Sequence, residues 1–103
     1  MATKDRIREQ LTILTALCES GNSSEILERS LDKIIAHELA VSQQQATELA
    51  EDLQQFEAQH QMSSSDFARR FQAGELGDDV DFVEWNAFYK MWCSVQKRLK
   101  ILG

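Results

Sequence analysis

The sequence contains no proline, only four glycines in 103 residues, two cysteines, and no apolar run approaching the roughly 20 residues that span a membrane. Without proline, and with so little glycine, few positions can stop a helix, and the wealth of Glu, Gln, Ala and Leu favours one. An all-β domain is thereby excluded. The length leaves room for a single domain over residues 1–103. Cys18 and Cys93 belong to no CxxC or Cys/His set, so no disulfide framework is predicted and both are expected as buried free thiols. Lys4, Asp5, Arg6, Arg8 and Glu9 interrupt the first ten residues where a secretory signal would need an apolar stretch, and the expected location is the cytoplasm.

What is present is ordinary for a folded chain: 43% apolar and 27% charged residues argue against disorder. The formal charge of −6 is unevenly placed, at +1 over residues 1–10, −7 over 11–62, −4 over 63–84 and +4 over 85–103. An acidic body disfavours nucleic acid, whose binding depends on clustered Lys and Arg. The basic cluster Lys97, Arg98 and Lys100 reads instead as cations at a helix C-terminus, where they complement the macrodipole.

Apolar periodicity predicts four helices, at about 4–20, 24–61, 65–73 and 80–101. In the first, Ile7, Leu11, Leu14 and Cys18 step by four, three and four along one face, and Gly21 ends it. Asn22 with Glu25 has capping-box spacing, with Ser23 and Ser24 as alternative caps. The second helix carries Leu27, Leu31, Ile34, Ile35 and Leu39, then the heptad-like Ala46, Leu49, Leu53, Phe56 and His60. Residues 41–45 weaken its stripe but contain no Gly or Pro, so the helix is expected to continue. Ser63 and Asp66 open a short third helix bearing Phe67 and Phe71. In the turn that follows, Gly74 and Gly77 can take positive φ and Leu76 can plug into the core. On the last helix Trp85, Phe88, Trp92, Val95, Leu99 and Leu102 recur every three or four residues.

Those lengths bear on assembly. At 1.5 Å per residue the long helix spans about 57 Å, and the first and last helices together match it. Each would cover one half, leaving two helices in cross-section at any level. The aromatics Phe56, Trp85, Phe88 and Trp92 would then face water, which predicts a homodimer with a four-helix cross-section. The fold class is all-α: a long-helix hairpin, or coiled-coil-like helical bundle.

Chemistry-bearing groupings are weak. Glu75, Asp78, Asp79, Asp81 and Glu84 offer oxygen ligands for a divalent cation, but the calcium-loop pattern is missing, and acids at a helix start serve as caps. Glu57 and His60 have the Glu-x-x-His spacing of di-iron bundles without the companion glutamates, and His60 is expected close to solvent at a helix end. A carboxylate/His metal-binding bundle is the alternative function. One of Arg69 and Arg70 is expected to pair with Asp78, Asp79 or Asp81 across the turn. No catalytic triad, nucleophile elbow or phosphate loop occurs, so no catalytic, cofactor or metal residue is assigned.

Phe67, Arg70, Phe71, Gly74, Glu75, Leu76, Gly77, Asp78, Asp81, Phe82, Glu84 and Trp85 spell FxxxFxxGxLGDxxDFxEW, after a long helix closing on Phe56, Glu57 and a Met62-Ser63-Ser64 tract. The stretch resembles a group of small uncharacterised bacterial helical proteins described as antitoxin-like. The resemblance covers roughly residues 27–102 and departs at His60 and Gln61, where an aromatic and then a glycine would be expected. It implies a long-helix hairpin and a protein partner, and no catalytic residues. The expected function is a non-enzymatic interaction module, homodimeric, antitoxin-like or scaffolding, acting on a more basic protein without nucleic acid, membrane or cofactor. Its interface or motif residues are Phe67, Phe71, Gly74, Leu76, Gly77, Asp78, Asp81, Trp85, Phe88 and Trp92.

Overall fold

The computed structural model describes residues 3–103 as four α-helices: α1 (Thr3–Glu19), α2 (Glu25–His60), α3 (Ser64–Gln72) and α4 (Val80–Leu102). The protein is all-α, with no strand among the described residues. Each boundary lies within a residue or so of its predicted place, and α2 runs unbroken through residues 41–45. The chain divides into two compact units, Met1–Ala36 and His37–Gly103, with the division inside α2.

The helix ends follow from backbone chemistry. At the end of α1 the Asn22 N–H donates to Leu17 O (2.9 Å) and the Gly21 N–H to Cys18 O (3.1 Å), a Schellman closure that needs Gly21 at φ +79°. Gly74, at φ +76°, closes α3 in the same way through Glu75 N–H to Arg70 O and Gly74 N–H to Phe71 O. At the end of α2 the left-handed position falls to Gln61 (φ 54°), where the resemblance had called for glycine. A side chain there is strained by crowding of Cβ against the backbone, so Gln61→Gly is expected to stabilise the protein by about 0.5–1 kcal/mol, read as a rise in thermal midpoint. The cap of α2 is Ser24, whose Oγ accepts from Leu27 N–H at 3.1 Å, rather than Asn22. Ser63 Oγ accepts from Asp66 N–H at 3.2 Å, and Asp79 Oδ1 from Val80 N–H at 3.0 Å, so both predicted caps form.

In the C-terminal unit α2 and α4 are antiparallel: Phe56 meets Trp85 and Phe88 at one end, and Gln45 accepts from Arg98 at the other. On α2 the seam steps Ser42, Ala46, Leu49, Leu53, Phe56, His60, with Ser42 fully enclosed and Leu53 buried. The weak point of the predicted stripe is therefore itself on the seam. Ser42 Oγ is buried with no hydrogen-bond partner among the described residues. A buried hydroxyl without a partner costs free energy, and serine is a poorer helix former than alanine. Ser42→Ala is accordingly expected to raise unfolding free energy by about 1 kcal/mol in denaturant titration.

In the N-terminal unit α1 and the first turns of α2 form an antiparallel pair. Ile7, Leu11 and Leu14 line an open groove of ≈ 540 Å³ with Leu31 and Ile34. No residue of α1 is buried.

Candidate functional site

The predicted motif residues divide into a core and a turn. Phe67 and Trp85 are wholly buried, and Phe71, Leu76, Phe88 and Trp92 pack against them half-buried. Gly74, Gly77 and Asp78 lie on the exposed turn, and Asp81 is half-buried in the first turn of α4. Trp85 is sandwiched: its ring stacks on Phe67 (centroids 3.9 Å apart, planes at 6°) and on Phe56 (5.6 Å, 9°). Phe71 stacks on Phe67, and Phe82 tilts against it. Offset ring stacks of this kind add to the stabilisation from apolar burial alone.

This arrangement revises the two-helix cross-section. The long α2–α4 hairpin does not leave its aromatics in water at this level, because α3 folds over them as a third helix through Phe67 and Ala68. Leu76 seats in the same cluster, as its place between two glycines predicts.

A polar chain fixes that third helix, and neither periodicity nor motif spacing had revealed it. Glu57 Oε2 accepts from the Ser64 backbone N–H at 2.9 Å, at the N-terminus of α3. Ser64 Oγ in turn accepts from Trp85 Nε1–H at 2.9 Å, in a buried bond spanning 21 residues of sequence. The carboxylate satisfies an otherwise orphaned amide and meets the positive end of the helix dipole. One carboxylate, one serine and one indole thus join α2, α3 and α4.

That chain also decides the Glu-x-x-His pair. Glu57 is spent on α3, while the His60 ring stacks on Trp85 (5.4 Å, 21°) and tilts against Phe82 (5.2 Å). His60 was expected close to solvent, but its Nε2 is buried and unpaired among the described residues, because the aromatic cluster closes around the helix end. No group of three or more His, Cys, Asp or Glu residues comes together among the described residues. In the acidic tract Asp79 caps α4 and the others are spread along the turn and first helical turns.

The bridge predicted from Arg69 or Arg70 across the turn is not formed among the described residues. Arg69 pairs instead with Asp66 on its own helix at 3.7 Å, in an exposed contact worth little. Both thiols are free, but Cys18 is exposed and Cys93 half-buried, where both had been expected inside. Burial, and after it the Cys93 thiol as hydrogen-bond partner and charge, raise Tyr89 above its ordinary value, so the phenol stays protonated through neutral pH.

The surface left unsatisfied lies in the N-terminal unit. Ile7 is 49% exposed, Leu11 51% and Ile13 61%, with Leu17, Ile34 and Ile35 also open. Periodicity had marked this stripe as a helix face without assigning it a role. Ile7, Leu11 and Ile34 share one groove, unlike single exposed residues such as Ile26 or Ile101. Comparison of the chain with protein-family models, with curated proteins and with solved structures finds no match. No helix among the described residues is long and apolar enough to cross a membrane.

Proposed function

We propose that this chain is a non-enzymatic protein–protein interaction module that acts as a homodimer and presents its acidic body to a more basic protein, in an antitoxin-like or scaffolding role. The observation that carries the reading is the apolar face of α1, which has no buried residue in the single chain. An isolated 17-residue helix is marginal in water, so α1 gains from a covering surface. The basic partner is supported by charge: residues 37–103 carry a net −5, and Glu48, Glu51, Glu75, Asp78, Asp79 and Glu84 are exposed. Complementary charge of this kind speeds and selects encounter. The same acidity disfavours nucleic acid, and the free thiols suit a cytoplasmic setting.

Light scattering of the purified chain at micromolar concentration tests the dimer. A mass of about 24 kDa, twice the 11.8 kDa of one chain, is expected, and 11.8 kDa would remove self-association. A basic protein that co-purifies stoichiometrically and is released by salt would support the partner, because exposed charge contacts are screened.

A further inference from the structure

We infer that the second copy docks hairpin against hairpin in the antiparallel sense, with the groove of Ile7, Leu11, Leu14, Leu31 and Ile34 facing its own image across a two-fold axis. The inference rests on the interaction-module reading and specifies its surface and orientation.

The N-terminal unit is nearly neutral, at −1 over residues 1–36, against −5 for the rest of the chain, so two copies can approach here with little repulsion. Its charges are nevertheless sorted along the groove. Lys4, Arg6 and Arg8 stand at the start of α1 with Asp5 and Glu9, a net +1, and no ion pair engages any of them among the described residues. At the other end, around the α1–α2 loop, Glu19 and Glu28 are likewise free, while Glu25 is paired with Arg29 at 2.7 Å. Between the two ends the face is apolar. Parallel docking would set cations on cations and carboxylates on carboxylates. Antiparallel docking lays the Lys4–Arg8 end of each copy on the Glu19–Glu28 end of the other, twice over by symmetry. Self-complementarity of this kind is what a two-fold interface requires. The four helices then enclose the groove residues, and the exposed Cys18, on the same α1 stripe, is drawn to the rim.

A charge swap in the full-length chain tests the orientation. Glu19→Lys with Glu28→Lys, and separately Arg6→Glu with Arg8→Glu, should each weaken dimerisation about tenfold in Kd by sedimentation at low salt. The fourfold variant should return to within about threefold of the original. Exposed charges are exchanged throughout, so folding is expected to be retained, and far-UV circular dichroism checks this. Oxidation with diamide supplies a second readout. With the two-fold axis near Leu11, each Cys18 lies about 10 Å from it along the helix, leaving the pair about 20 Å apart and beyond disulfide reach. No Cys18-linked dimer is therefore expected. A wild-type dimer indifferent to the swap, or one that cross-links rapidly through Cys18, overturns the antiparallel orientation and leaves the interaction module standing. A wild-type chain of single mass overturns the self-association on which both depend.

Discussion

Trp85→Ala is expected to lower the unfolding free energy by about 3–5 kcal/mol, a large share of what a small domain possesses. The size follows from what the ring touches. The rings of Phe67, Phe56 and His60 all stack on it, and its Nε1–H donates to Ser64 Oγ. Truncation would open a cavity at the junction of α2, α3 and α4 and leave a buried serine hydroxyl without its donor. Trp85→Phe separates the two terms: the stack largely survives, the hydrogen bond does not, and a loss of about 1–2 kcal/mol is expected. Thermal melts followed by far-UV circular dichroism measure both. An alanine variant with an unchanged midpoint would contradict the role given to this cluster.

Leu11→Asp, made together with Ile34→Asp, should act on the other unit and leave the aromatic cluster alone. Both side chains are half exposed in the single chain, so the cost within one chain is small. In a dimer they would be enclosed, and an unpaired carboxylate in an apolar interface is costly. A rise in Kd of about 100-fold or more is expected, together with lost helical signal from α1. Near-UV circular dichroism from Trp85 and Trp92, in the C-terminal unit, should stay as it was. Equal masses for the variant and the original chain would show that the groove is not the contact surface.

Much of this molecule was legible in its amino-acid order, for reasons specific to particular residues. Helix ends are local events: Gly21 and Gly74 announce Schellman closures, Ser63 and Asp79 announce caps, and each does what its chemistry predicts. Leu76 could be placed in the core because two glycines bracket it. What escaped was tertiary. The nine residues of α3 were read as a short helix but not as a cover for α2 and α4, so their power to roof over Trp85 was missed, and with it the intrachain burial of the aromatics. Ser64 looked like one serine among three, although it alone lies between a carboxylate on α2 and an indole on α4. No periodicity reports a bond across 21 residues. His60 was placed near solvent from its position at a helix end, yet the cluster that encloses it comes from α4.

The correction moves the unsatisfied surface rather than abolishing it. At the aromatic end of the C-terminal unit packing is completed by the chain's own third helix, whereas the N-terminal unit has only two helices and an open apolar groove. The feature that argues for a second chain therefore lies in the first 36 residues, the first 20 of them outside the motif-bearing stretch.

Hydrogen exchange measured as a function of protein concentration tests that central claim most directly. If a second copy covers the groove, amides of residues 3–19 gain protection as concentration rises through the dimerisation range, while those of α3 and the aromatic end of α4 keep a constant, high protection. Protection of α1 that is the same at nanomolar and at high micromolar concentration would contradict it, because the helix would then be held by its own chain alone.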